Sequence, residues 1–204
     1  NTNMNKTPFA DISTAANQQE RSHQWYVQAI RQYARGINTF DEAKQTDIGK
    51  VSRRLEIGKM YMYSYDPKHK ATLPYYDTCP LVVIVEPTSN GFSGINFHYL
   101  PVQARAELLD RLVRKKMPWD QDMDQDEATL KANWAMLKNF SRFPETRGSI
   151  KQYLTRHITG QMIQVNYRHW KTAVYLPVQN FVGASERTVY KGTMETPEKK
   201  RKSK

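Results

Sequence analysis

Two apolar runs separated by an Asn-Gly pair constrain the fold of this chain more than any other feature. Residues 81–85 read LVVIV and residues 93–100 read SGINFHYL, with the turn-forming segment Thr88–Ser89–Asn90–Gly91 between them. Asn-Gly is favoured in two-residue hairpin loops because both residues tolerate a positive φ. The sequence therefore predicts an antiparallel hairpin, whose first strand is apolar throughout and should be covered on both faces.

The segments around this hairpin predict a mixture of strands and helices. The aromatic run KMYMYSY at 59–65 predicts a strand, and Pro74, Pro80 and Pro87 are expected to end each β segment. Pro101 should begin a helix with Val102, Ala106, Leu109 and Leu112/Val113 on its inner face. Further helices are expected at about 126–140 and from Gly148 to Gly160, followed by strands MIQVNY at 162–167 and TAVYLP at 172–177.

The N-terminal part predicts an arm over 1–16 and a helix over 17–35, then a short helix and an approach strand within 38–57. The expected fold class is α+β, a small SH3-like antiparallel β-barrel with inserted helices and N- and C-terminal extensions, because closing a sheet removes its edges. The expected divisions are an arm with helices over 1–57, a barrel domain over 58–194 with a helical insertion at about 101–160, and a basic tail over 195–204.

The positive charge is concentrated at the C-terminal end. The chain carries a formal net charge of +11, and residues 146–204 contribute 12 Lys/Arg against 3 Asp/Glu. Such a region indicates a polyanion, above all nucleic acid, although a solubilising surface is the alternative. The cations expected to contact phosphates are Arg147, Lys151, Arg156, Arg168, Lys171, Arg187 and Lys191, with Lys199, Lys200, Arg201 and Lys202 in the tail.

Aromatic residues are interleaved with these cations. They are Tyr153, Tyr167, Trp170, Tyr175 and Tyr190. Phosphate-binding cations beside aromatic rings are typical of backbone contact combined with base stacking. Alternatively the rings belong to the core, and the cations only surround it.

Catalytic and metal-binding patterns are weak. Asp120, Asp122 and Asp124 match the first ligands of a calcium loop, but Gln125 stands where glycine is needed and Lys131 where glutamate is needed. The GFSGI run lacks the last glycine of a nucleophile elbow. The histidines have no metal-ligand spacing, and Asp66 and Asp77 are interpreted as turn residues beside prolines. We therefore expect no enzyme, no metal and no cofactor.

The single cysteine, Cys79, is interpreted as a small buried hydrophobe. The longest apolar run, LVVIV, is too short to span a membrane, and no leader-like segment opens the sequence. These features predict a protein without a membrane partner.

The central part of the chain resembles a known phage family. The matching elements are Gly58–Tyr65 followed by Asp-Pro-Lys at 66–68, Leu-Pro-Tyr-Tyr-Asp at 73–77, Pro-Leu-Val at 80–82, Gly91-Phe92 and Asn96 to Pro101, with IKQYLTRHI and WKTAVYLPVQNF further on. Over roughly 50–182 the chain is similar to the DNA end protector proteins of T4-like tailed bacteriophages. In this interpretation the neutral 65–87 segment is a scaffold, and the charged side chains that contact a partner lie in the C-terminal region.

The resemblance implies a non-enzymatic virion protein that binds the ends of packaged double-stranded DNA and protects them from host exonuclease. It implies a location in the virion and then in the host cytoplasm, with other virion structural proteins as partners in a homo-oligomer or larger assembly. The alternative is a structural neck, head–tail connector or baseplate component that binds other virion proteins.

Overall fold

The computed structural model describes residues 49–113, 147–166, 169–175 and 178–195. These residues form eight strands: β1 (Gly49–Ser52), β2 (Met60–Met62), β3 (Tyr76–Asp77), β4 (Leu81–Thr88), β5 (Gly91–Asn96), β6 (Ile150–Leu154), β7 (Met162–Val165) and β8 (Phe181–Val182). The α-helices are α1 (Val102–Val113), α2 (Trp170–Ala173) and α3 (Glu186–Met194), and short 3₁₀ helices follow β5 (Phe97–Tyr99) and β6 (Thr155–His157). The mixed α+β class is confirmed.

The main sheet has six strands in the order β1-β7-β2-β4-β5-β6, and all its neighbours are antiparallel. The strands β3 and β8 form a separate antiparallel pair. Since β1 and β6 lie at opposite edges and do not pair with each other, the described strands form an open sheet. The expected SH3-like closed barrel is not found among these residues.

The predicted hairpin is confirmed, with β4 and β5 paired from Val82–Asn96 to Thr88–Gly91. The physical reason for its glycine differs from the prediction. Gly91 lacks a positive φ, but a Cβ at this position would overlap the carbonyl oxygen of Tyr153 on β6. Gly91 therefore permits the close approach of the next strand. Pro87 also lies inside β4, beyond a register shift between Ile84 and Glu86, so the expectation that it ends the segment is wrong.

The sheet separates two apolar clusters, and consecutive residues of β4 alternate between them. Leu81, Val83 and Val85 join one cluster, whereas Val82 and Ile84 join the other. All five side chains are at most 5% exposed, so the prediction that this run is covered on both faces is confirmed. The first cluster contacts α1 and α2, and the second is built from rings such as Tyr63, whose ring centroid lies 5.6 Å from that of Tyr153.

Two predicted elements are wrong. The segment after Gly148 is strand β6 instead of a helix, and it pairs with β5 from Ile95–Ile150 to Gly91–Leu154. The apolar spacing of four between Ile150 and Leu154 that suggested a helix is also even, so it fits one face of a strand equally well.

The strand predicted at 172–177 is also wrong, because Trp170–Ala173 is helical. Trp170, Ala173 and Val174 are all buried, and this i, i+3, i+4 spacing is helical. Residues 176 and 177 lie outside the described part.

The predicted helix after Pro101 is confirmed as α1, with Leu108 and Leu109 in the core. The approach strand predicted within 38–57 is found as β1, and the strand predicted at 162–167 is found as β7. The arm over 1–16, the helices at 17–35 and 126–140, and the tail from 196 lie outside the described residues. No helix within the described ranges is long and apolar enough to cross a membrane.

Candidate nucleic-acid interface

A buried carboxylate, Asp77, organises one end of the molecule. Its Oδ1 accepts hydrogen bonds from the backbone amides of Cys79 at 3.0 Å and Asn180 at 3.2 Å. Its Oδ2 accepts from Asn96 Nδ2 at 3.2 Å and from His98 Nδ1 at 2.8 Å. The carboxylate therefore ties β3 to the end of β5 and to the segment that enters β8.

The electrostatics of this network are those of a carboxylate beside a neutral imidazole. Burial opposes the charge of Asp77, but the charge that His98 carries when it is protonated at low pH, together with the donated hydrogen bonds, outweighs it and holds the pKa of the carboxyl below its ordinary value. Burial lowers the pKa of His98, against the opposing influence of Asp77. At neutral pH the ring is therefore uncharged, and its Nδ1–H donates to the carboxylate. The turn role predicted for Asp77 misses this network.

The network borders a pocket of about 470 Å³ that is rich in tyrosine. We call it the tyrosine pocket, and its lining residues are Tyr65, Pro67, Lys68, His69, Leu73, Tyr75, Tyr76, Asp77, Tyr99, Lys151, Gln152, Tyr153 and Leu154. The lining thus combines five tyrosine rings with the side chains of two lysines and one histidine, which come from separate parts of the chain. Such a combination suits a ligand that has both a flat ring and a negative charge.

The loop at the rim is held by local hydrogen bonds. The amide of Asp66 donates to His157 O at 3.0 Å, which fixes the start of the loop to the segment after β6. The amides of Thr72 and Leu73 donate to His69 O at 2.9 and 3.0 Å. These bonds keep Lys68 and His69 near the pocket although both side chains are exposed.

Lys151 is the partly buried cation of the pocket. Its Nζ lies 4.2 Å from the centroid of the Tyr99 ring, at cation–π distance. Burial lowers the pKa of Lys151. Among the residues that the structure describes, no carboxylate forms an ion pair with it. The ammonium is therefore placed where an anionic ligand can replace its lost hydration.

The other predicted phosphate-binding residues are distributed over two elements and the undescribed segments. Arg147 and Arg156 are exposed and flank β6, and Arg187 and Lys191 are exposed one turn apart on α3. The structure does not describe the side chain of Lys171, nor any part of Arg168, Lys199, Lys200, Arg201 and Lys202.

A close contact brings these two elements together. A Cβ at Gly148 would lie 2.7 Å from the carbonyl oxygen of Thr193, so only glycine lets the start of β6 lie against the end of α3. On the same helix, a Cβ at Gly192 would lie 2.8 Å from the hydroxyl of Tyr75, a pocket residue. The structure therefore groups Arg147, the end of α3 and the tyrosine pocket.

Arg105 fixes α1 to the segments that support this region. Its side chain is fully buried and donates to three carbonyl oxygens, those of Leu100 at 2.8 Å, Val174 at 3.0 Å and His98 at 3.2 Å. It also donates to the Tyr190 hydroxyl on α3 at 3.0 Å. These bonds use four of the five guanidinium N–H donors and hold α1 against α3, so Arg105 is a positioning residue.

The base-stacking prediction is only partly compatible with the burial of the aromatic residues. Tyr153 and Trp170 are 5% and 4% exposed and belong to the core, so neither presents a free ring face at the surface. Tyr175 and Tyr190 are partly buried, and Tyr167 lies outside the described residues.

Sequence reasoning missed Tyr75, Tyr76 and Lys68, because it interpreted their segment as a scaffold alone. The only available signal was a Tyr-Tyr pair close to the Lys68–His69–Lys70 run.

The chain was compared with known proteins in three ways. The family model described as "Phage T4 terminal DNA protecting protein" matches residues 5–194. No protein with a curated description and no solved structure matches the chain significantly. The family match covers nearly the whole sequence and confirms the resemblance found in its central motifs. The chain belongs to the family of the phage T4 terminal DNA protecting protein.

Proposed function

We propose that this protein binds the ends of packaged double-stranded phage DNA without catalysis and protects them from host exonuclease. The observation that carries the proposal is the match of residues 5–194 to a terminal DNA protecting family. The net positive charge of the C-terminal region supports it, because a polyanion is the partner that such a surface attracts.

The proposed contacts to the DNA backbone are made by exposed cations around β6 and α3. Arg147 and Arg156 lie on either side of β6, and Arg187 and Lys191 lie on α3. Arg168, Lys171 and the tail cations at 199–202 are proposed to add further contacts. Phosphate contacts of this kind position a protein on DNA and carry no base sequence information.

The proposed location follows from the same role. A protector of packaged ends belongs in the virion and enters the host cytoplasm with the DNA, where exonucleases are met. Within the virion, the protein is proposed to contact other virion structural proteins, in a homo-oligomer or a larger assembly. The division into an arm with helices over 1–57, a domain over 58–194 and a basic tail over 195–204 is proposed with it, and strand β1 attaches the first part to the main sheet through β7.

Binding to linear and circular duplexes of equal length tests the proposal. A titration series at several salt concentrations should give tighter binding to the linear form, with affinity falling as salt rises. Equal affinity for both topologies would retain DNA binding but contradict end recognition. No binding at low salt would instead favour a structural role among virion proteins.

A further inference from the structure

We infer that the tyrosine pocket binds the terminal nucleotide of a DNA strand, with its base against the tyrosine rings and its phosphate at Lys151. This inference rests on the proposed function, since it assigns the place where an end is recognised. It adds a small-molecule-sized site to a protein whose other candidate contacts are exposed cations.

The size and lining of the pocket fit one nucleotide. Its volume of about 470 Å³ lies within the roughly 300–1,000 Å³ typical of small-ligand sites. Tyr75 and Tyr76 are partly exposed, so ring surface remains open to a ligand. The rings of Tyr65, Tyr99 and Tyr153 are buried and form the more enclosed lining. Every base has a flat face, so stacking on such rings accepts any terminal base.

The pocket is lined by charged side chains of both signs. Lys151 has no carboxylate partner among the described residues, while Lys68 and His69 lie at the rim. Asp77 also lines the pocket, and its charge would repel a phosphate. The base is therefore expected to lie nearer Asp77, and the phosphate nearer Lys151. Hydrogen bonds from four donors already occupy the Asp77 oxygens, so the carboxylate needs no partner from the ligand.

The energetics of DNA favour a terminal nucleotide over an internal one. An internal nucleotide must lose pairing and stacking on both sides before it can enter a pocket, which costs a few kcal/mol. A nucleotide at a strand end has only one stacked neighbour and frays readily. A pocket of nucleotide size therefore distinguishes ends from continuous duplex without reading sequence.

Two variants test the assignment in the full chain. Lys151→Met removes the ammonium but keeps an apolar stem against Tyr99, and Tyr76→Leu removes a partly exposed ring. Arg53→Gln serves as the matched control, because Arg53 is exposed and does not line the pocket. Thermal unfolding of each variant establishes that it is folded before binding is measured.

The first measurement is binding of deoxyadenosine 5′-monophosphate by isothermal titration calorimetry. Lys151→Met should weaken binding by about tenfold or more, the contribution of a hydrogen bond to a charged group. Tyr76→Leu should weaken it by about fivefold or more, as for one lost stacking contact. Arg53→Gln should bind like the unmodified protein. Inorganic phosphate alone should bind more weakly than the nucleotide.

The second measurement compares an open-ended duplex with the same duplex closed by hairpin loops at both ends. The unmodified protein should prefer the open form, and Lys151→Met should lose the preference while retaining its affinity for the closed form. Folded pocket variants that bind the nucleotide and prefer open ends as the unmodified protein does would overturn the pocket assignment and leave the proposed function standing. Nucleotide binding that depends on Lys151, without any preference for open ends, would retain the pocket and overturn end recognition.

Discussion

Replacing Asp77 by asparagine should destabilise the protein strongly, because this side chain accepts four hydrogen bonds in a buried site. Two donors face each of its oxygens at 2.8 to 3.2 Å, and the residue is 3% exposed. Asparagine retains one oxygen of similar position, so two donors keep an acceptor. The amide group then meets the other two donors, Asn96 Nδ2 and His98 Nδ1.

The magnitude follows from the two donors that lose Asp77 as an acceptor, of which Asn96 Nδ2 keeps a second hydrogen bond to the Tyr153 hydroxyl at 3.0 Å. A buried donor left unsatisfied costs about 1–3 kcal/mol, so the expected loss in the free energy of unfolding is about 2–6 kcal/mol. A change of tautomer would let His98 Nδ1 accept from the new amide, but it would put the proton on the buried Nε2, which has no hydrogen-bond partner, so it offers little relief. Even the lower value is a large fraction of the roughly 5–15 kcal/mol that stabilises a typical domain.

Urea unfolding at neutral pH measures the effect, with Asp66→Asn as the matched control. Asp66 pairs with Lys70 at 2.8 Å, but both side chains are 54% exposed, so its replacement should change stability far less. The reasoning would be refuted if the two asparagine variants unfolded at the same urea concentration.

Four further outcomes are expected from other groups. Burial depresses the pKa of His98, so the unfolded chain takes up this proton first as pH falls. The free energy of unfolding should therefore decrease as pH drops below about 6.5, and His98→Gln should flatten this dependence in urea titrations at several pH values; an unchanged dependence in the variant would contradict it. Arg105→Lys should lower the free energy of unfolding, measured with urea, by about 2–4 kcal/mol, because lysine cannot reproduce the four donated hydrogen bonds. A loss of stability no larger than that of the exposed Arg53→Lys variant would contradict this. Partial burial raises the pKa of Cys79 to about 12, so a maleimide should label the folded protein more slowly than the urea-unfolded chain. Equal labelling rates would contradict a thiol that the fold protects. If about half of the seven cations over 147–191 and part of the tail contact phosphates, log affinity for linear duplex should fall with log salt at a slope near −5. Reversing the charges of Arg147, Lys151 and Arg156 together should make this slope less steep. An unchanged slope would place the phosphate contacts elsewhere.

The hairpin could be predicted because its signals are local. The apolar run of β4 and the turn before Gly91 lie within twenty residues, and the antiparallel pairing followed directly. The role of Gly91 could not be predicted, since it depends on Tyr153 of a strand far along the chain. The same distance explains the error at β6, where pairing with β5 decides between strand and helix.

The candidate site shows the same division between local and distant information. The exposed cations Arg147, Arg156 and Arg187 could be selected from charge alone. The tyrosine pocket could not, because it combines residues 65–77 with Tyr99 and the strand 151–154, and only the tertiary structure brings them together. The sequence around Asp77 predicts only a turn, because its partners His98 and Asn180 are remote in sequence.

End protection itself is tested most directly by exonuclease digestion of linear duplexes of different lengths. Two duplexes, one several times longer than the other, are incubated with increasing protein at equal molar concentration of ends, and the release of nucleotides is followed. Protection through bound ends predicts that the same protein concentration halves the digestion rate of both. If the longer duplex requires protein in proportion to its length, the protein coats DNA generally, and the account of a terminal protector is contradicted.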